Sequence, residues 1–149
     1  MPVKKLIFTK NKKLGYYKSN EHHKEYFNFI KLTLNLDKKV DYSFVAQSFA
    51  VKGRWFGEFI KAIELGKKST WINIIIDNID FKKHSAFSEY ETLGTFISHN
   101  YQNEIYEIHN EWYRFGNSTF GNIKKIDTPF MKFIFARYDF VSFEYWDKK

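Results

Sequence analysis

The pattern of hydrophobic and polar residues predicts several strands in this chain. Ile30, Leu32, Leu34 and Leu36 alternate with polar residues, which predicts a strand with one buried face. The segment 40–51, rich in Val, Tyr and Phe, is its predicted antiparallel partner. The apolar run 70–76 predicts a central strand covered on both faces. Further strands are predicted over 3–9, 14–18, 118–126, 131–137 and 140–146, the last two as a hairpin.

A helical period appears twice. Phe56, Phe59, Ile60 and Ile63 share one helical face, which predicts a helix over 54–65 that ends at Gly66. Ser88-x-x-Glu91 forms a capping box, and apolar residues then recur every three or four positions, which predicts a second helix over 88–115. The pattern therefore predicts an α+β fold, with a largely antiparallel β-sheet and two main helices packed on it.

Length and composition narrow the class of protein. The 149 residues suit a single domain, 1–149, and 44% hydrophobic residues are too many for a disordered chain. No apolar run approaches the ~20 residues of a membrane helix, and the first residues lack the apolar stretch of a signal peptide. The absence of cysteine removes disulfides, thiol nucleophiles and Cys-ligated zinc, and fits a cytoplasmic location.

The charge is divided unevenly along the chain. The net charge is +7, and 21 of the 24 basic residues are Lys, for which a low-GC genome is one explanation. Residues 1–75 carry a net charge of +9 and residues 76–149 a net charge of −2, a division that codon bias does not predict. Five Lys lie within residues 4–13, before the first acid at Glu21. The N-terminal half is therefore expected to face any charged partner; the alternative is a solvated basic face without a partner.

Motifs of catalysis are not found in the sequence. It contains no H-E-x-x-H, G-x-S-x-G or P-loop pattern. Glu104, Glu107 and Glu111 share one face of the helix predicted over 88–115, where solvated carboxylates are more common than acid–base pairs. No catalytic, cofactor-binding or metal-binding residue is therefore predicted, and no cofactor is expected.

Two segments together resemble the core of the GNAT acetyltransferases: Phe49–Gly57, predicted to join a strand to a helix, and Tyr90–Phe96, in the later helix. In that family a glycine-containing loop holds the coenzyme A pyrophosphate at a helix N-terminus, and a later helix carries a Tyr. The resemblance covers residues 45–96 and implies an acetyltransferase with a degenerate pyrophosphate loop. Trp55 stands at the central loop glycine, and Lys52 stands at the basic first position.

Three functions therefore remain open. The first is a non-catalytic binding protein that blocks a macromolecular partner by steric occlusion, as toxin-immunity proteins and inhibitors from phages or mobile elements do. Its partner is expected to be a protein with an acidic surface. Basic and aromatic residues are typical interface anchors, and the predicted partner-binding residues are Lys52, Arg54, Trp55, Lys67, Lys68, Tyr113 and Arg114. The alternatives are a nucleic-acid-binding protein that uses the basic, aromatic N-terminal half, and the GNAT-like acetyltransferase.

Overall fold

The computed structural model describes residues 7–46, 48–109, 111–122 and 129–144, with only the backbone given for 130–132. The chain divides into two compact units. The larger unit is Thr9–Ile108, and the smaller unit combines His109–Lys149 with Met1–Phe8.

The larger unit combines four helices with a three-stranded sheet. Its helices are α1 (Lys24–Leu34), α2 (Gly53–Glu64), α3 (Trp71–Asn78) and α4 (Glu89–Asn100), and a 3₁₀ turn follows at Gln102–Glu104. Its strands are β1 (Thr9–Lys10), β2 (Lys13–Tyr17) and β3 (Ile105–Ile108). The strand β2 is central, antiparallel to β1 and parallel to β3. The core includes five fully buried residues: Ile30, Phe44, Trp55, Ile63 and Ile97.

The smaller unit has a separate small core. Its elements are β4 (Trp112–Tyr113), α5 (Gly116–Phe120), α6 (Pro129–Phe135) and β5 (Phe140–Val141). The strands β4 and β5 pair in parallel. Phe135, Tyr138 and Val141 are buried together.

The α+β class is confirmed, and so are several local features. The helix α2 matches the prediction over 54–65, and Gly66 behind it has φ = 71°, a left-handed conformation that glycine adopts without strain. The Ser88 hydroxyl accepts a hydrogen bond from the Glu91 N–H, which begins α4 at the predicted capping box. The strand predicted over 14–18 is β2.

The strand predicted from alternation at residues 30–36 is wrong, because the segment belongs to α1. The buried residues of α1 are Tyr26, Phe29, Ile30 and Thr33, which follow the helical period, while Leu32 is 66% exposed. Of the alternating residues Ile30, Leu32, Leu34 and Leu36, only Ile30 is among the buried residues of α1. The segment 40–51, predicted to pair with it, contains no strand among its described residues and forms one isolated bridge, Ser19 to Ser43.

The apolar run 70–76 forms a helix instead of the predicted strand. The Thr70 hydroxyl accepts from the Asn73 N–H and caps the N-terminus of α3. Ile74 is buried, while Ile72 and Ile76 are about half exposed. A continuous apolar run has no period that separates a strand from a helix, and here the cap favours the helix.

The helix predicted over 88–115 ends at Asn100. The Tyr101 N–H donates to the Ile97 carbonyl over 2.8 Å and closes the last turn of α4, and the Asn100 side chain donates to the Phe96 carbonyl. Beyond it, β3 pairs with β2, and these backbone hydrogen bonds replace those of a continued helix. Glu104 and Glu107 therefore do not share a helical face.

The C-terminal predictions are partly wrong. The segments predicted as strands over 118–126 and 131–137 contribute to α5 and α6, and the predicted hairpin is not formed. Among the described residues of the strand predicted over 140–146, Phe140–Val141 form a strand. Residues 3–6, 123–126 and 145–146 of these predictions lie outside the described residues.

Candidate binding surface

A basic hairpin tip lies at the start of the larger unit. A two-residue turn, Asn11–Lys12, joins β1 to β2, and φ is positive at both residues (51° and 64°), which is the signature of a type I′ turn. Lys10 lies directly opposite Lys13 in the antiparallel pair. Lys10, Lys12 and Lys13, here called the basic tip, are all exposed, and none of them forms a salt bridge with another described residue.

The local sequence of this hairpin opposes its own folding. Like charges directly opposite each other in an antiparallel pair are destabilising. A residue with a Cβ in the left-handed region costs roughly 1–2 kcal/mol, and glycine is the preferred second residue of such a turn. Lys12 stands at that position. The three lysines are therefore not explained by the stability of the hairpin.

A second basic group surrounds the N-terminus of α2, where Lys52 and Arg54 share one carboxylate. The Lys52 ammonium donates to Glu104 over 2.6 Å, and the Arg54 guanidinium donates to the same carboxylate over 2.7 Å. The hydrogen bond from Lys52, and then that from Arg54, lower the pKa of Glu104 below its ordinary value. Both cations stay partly exposed, but their charge is partly balanced within the molecule.

Trp55 is fully buried and is not a surface anchor. Its ring stacks on Tyr101 with the centroids 4.6 Å apart, and the Lys52 ammonium lies 4.4 Å from its centroid. The Tyr101 hydroxyl donates to Glu58. The stacked rings of Trp55 and Tyr101 therefore form the surface on which the side chains of Lys52 and Arg54 pack.

The other predicted partner-binding residues are not part of this second basic group. The Lys67 ammonium donates to the Thr33 carbonyl over 2.6 Å, near the C-terminus of α1, and Lys68 is exposed beside it. Tyr113 and Arg114 belong to the smaller unit. The Tyr113 hydroxyl is hydrogen-bonded to Thr119, and the Arg114 guanidinium lies 5.3 Å from the centre of the Trp112 ring.

The uneven charge along the chain is not preserved in the fold. Acids from the C-terminal half pair with bases of the N-terminal half: Glu104 with Lys52 and Arg54, and Glu107 with Lys18 over 2.8 Å. The larger unit contains 15 Lys and Arg against 12 Asp and Glu, a net charge of +3.

The basic tip was not among the predicted partner-binding residues. The signal for it was the run of lysines that precedes the first acid.

The strand–loop–helix order that the GNAT resemblance implies is not formed before α2. The described residues of 44–52 are not in a strand, and α2 begins at Gly53. The side chains that flank this helix N-terminus, Lys52 and Arg54, bind Glu104. The Tyr90 ring stacks on Phe49, with the centroids 5.2 Å apart.

Comparisons with known proteins do not assign a family. No family model, curated protein or solved structure matches the chain. Within the part of the chain that the structure describes, no group of three or more metal-ligating side chains is close enough to hold an ion. No described helix is both long and apolar enough to cross a membrane.

Proposed function

We propose that this protein is a cytoplasmic, non-catalytic binding protein that blocks a macromolecular partner, as toxin-immunity proteins and inhibitors from phages or mobile elements do. The observation that carries the proposal is the basic tip, Lys10, Lys12 and Lys13, exposed on a hairpin whose stability it lowers. Residues that reduce stability without a structural benefit are expected at functional sites.

The chemistry of the tip favours an acidic partner. Three ammonium groups on a tight turn attract carboxylates, and such attraction raises the association rate in a salt-dependent manner. Lys52 and Arg54 add two partly exposed cations to the same unit. The proposed mechanism is steric: the bound protein covers the active site or nucleic-acid channel of its partner.

Burial of the nearby aromatic residues favours a protein partner over a nucleic acid. Single-stranded nucleic acids are bound by basic grooves with exposed aromatic rings on which bases stack. Tyr16, Tyr17 and Trp55, three aromatic residues of the basic N-terminal half, are at most 5% exposed. The basic tip therefore offers charge without a stacking surface.

Affinity capture from the source organism tests the proposal with matched variants. The tip variant K10Q/K12Q/K13Q is compared with the wild type and with K39Q/K61Q/K82Q, which removes three exposed lysines elsewhere in the larger unit. We expect the wild type and the control to retain one protein at low salt, and the tip variant to lose most of it. The captured protein should lose its activity when the wild type is added in equimolar amount.

Three results would contradict the proposal. Equal capture by the wild type, the tip variant and the control variant would show that the basic tip does not contribute to binding. Capture that disappears after nuclease treatment would support the nucleic-acid alternative. Stabilisation of the protein by millimolar acetyl-CoA in a thermal unfolding assay would support the acetyltransferase alternative, because a ligand that binds the folded state raises the melting temperature.

A further inference from the structure

A second feature of the larger unit is an apolar cavity among α2, α3 and α4, distant in sequence from the basic tip. Its volume is about 240 Å³. Six of its eight described lining residues are hydrophobic, among them Phe56, Phe59, Trp71 and Ile75. Pockets of this composition are typical of small-molecule sites.

Half of the described lining residues of the cavity are aromatic. The rings of Phe56 and Trp71 are nearly perpendicular, at 80°, with their centroids 6.1 Å apart. Phe59 lies 6.1 Å from Phe56. The Thr92 hydroxyl donates to the Ser88 carbonyl over 2.7 Å, so its proton is already used within α4. The interior therefore offers aromatic surface and few hydrogen bonds.

The size of the cavity sets the size of a ligand. An apolar cavity of ~150 Å³ stays dry and binds benzene. The cavity here, at about 240 Å³, therefore has room for a benzene ring with a short aliphatic chain. Phe56 is 37% exposed, so one wall reaches the surface and provides access.

The charge of the lining residues indicates the charge of the ligand. Glu89 is the charged lining residue, and it is exposed in the first turn of α4. No described Lys, Arg or His lines this cavity. Faces of aromatic rings attract cations because their quadrupole is negative there, and Trp does so most strongly. Both the carboxylate and the rings therefore favour a ligand with a positive charge.

We propose that this cavity binds a small arylalkylammonium molecule. The aromatic ring packs inside the cavity against Phe56, Phe59 and Trp71, and the ammonium group lies beside Glu89 at the solvent side of the cavity.

Three probes that share a phenylethyl group test the proposal on the whole chain: 2-phenylethylamine, 2-phenylethanol and 3-phenylpropionate. Binding is measured by saturation-transfer NMR and by the rise in melting temperature with ligand concentration. We expect the amine to bind best, the alcohol more weakly and the carboxylate least. Failure of all three to bind at millimolar concentration, or equal binding of amine and carboxylate, would overturn the proposal.

Two variants locate the site. E89Q should weaken binding of the amine about three- to fivefold, the equivalent of one exposed ion pair, and leave the alcohol unchanged. I75W replaces an aliphatic side chain of the lining with a bulky indole ring and should abolish binding of both the amine and the alcohol. Its control is I76W, on the half-exposed residue that follows, which should bind as the wild type does.

The variants also keep the proposal falsifiable. E89Q changes an exposed side chain and should fold, so the result remains decisive even if I75W is unstable. Unchanged binding of the amine to E89Q, or equal loss of binding in I75W and I76W, would count against the assigned cavity.

Discussion

At the scale of single residues, Glu91 is the most unusual group in the larger unit. It is fully buried, and one carboxylate oxygen accepts from the Ser43 hydroxyl over 2.5 Å and from the Phe44 N–H over 3.1 Å. The other oxygen has no hydrogen-bond partner among the described residues. Burial raises the pKa of Glu91 above its ordinary value, although these two hydrogen bonds act in the opposite direction.

The raised pKa predicts a stability that falls with pH. Above the ordinary value of 4.5, the unfolded chain releases the Glu91 proton while the folded chain keeps it. The free energy of unfolding therefore decreases as the pH rises from the unfolded pKa through the folded pKa. E91Q removes this titration and keeps an acceptor for Ser43 and Phe44. In urea unfolding from pH 4 to 8, we expect the wild type to lose stability relative to E91Q, and parallel curves would contradict the raised pKa.

Gly94 is required by close packing, because a Cβ at this position would overlap the ring of Phe44. Phe44 is fully buried, and its ring contacts those of Tyr16, Tyr42 and Phe49. We expect G94A to lower the free energy of unfolding by about 1–3 kcal/mol, as overpacked cores do. G57A is the matched control in α2, where a Cβ would meet nothing within 4 Å. It should raise stability by roughly 0.5–1 kcal/mol, and similar effects of the two changes would be inconsistent with this contact.

At the scale of elements, the β1–β2 hairpin links stability to the proposed interface. K12G should relieve the left-handed strain and raise the free energy of unfolding by roughly 0.5–1 kcal/mol, because part of the gain is offset by the flexibility of glycine in the unfolded chain. K12Q removes the same charge but keeps a Cβ. Urea unfolding should show stabilisation in K12G alone, and retention on a carboxymethyl resin should fall in both. Equal stability of the two variants would show that residue 12 is not strained.

The elements also show which parts of the fold a local pattern can predict. The helix α2 and the start of α4 were predicted because their apolar period and their caps lie within the segment itself. The strand β3 was missed because its partner β2 lies about 90 residues earlier, and a local pattern does not contain this pairing. The helix α3 was missed because an apolar run such as 71–76 has no period.

The candidate site was predictable to a similar extent. Lys52 and Arg54 were predicted from their types to bind a partner, which stays a prediction; both are partly exposed. Their ion pairs with Glu104 join residues 50 or more positions apart, so sequence spacing gave no sign of them. Trp55 was predicted as an interface anchor from its type alone, but its stacking on Tyr101 buries it.

At the scale of the whole molecule, folding redistributes the charge. The sequence concentrates positive charge in residues 1–75, but the fold places Glu104 and Glu107 against three of those bases. An acidic partner must therefore compete with internal carboxylates for Lys18, Lys52 and Arg54. The basic tip has no such competitor among the described residues, so under the proposed function we expect it to attract an acidic partner from a distance.

Removal of one internal competitor tests this arrangement without knowledge of the partner. A carboxymethyl resin presents carboxylates in the way that an acidic protein surface does. E104Q removes one negative charge and releases Lys52 and Arg54, whereas D77N removes one negative charge from an exposed residue of α3 that forms no salt bridge with another described residue. Because the two variants have the same net charge, a difference in elution reports on the position of the charge. We expect E104Q to elute at higher salt than D77N, and D77N to elute at higher salt than the wild type. If the two variants elute at the same salt concentration, neutralising Glu104 does not increase the binding of Lys52 and Arg54 to an acidic surface. This result would contradict a role of Lys52 and Arg54 in the proposed interface.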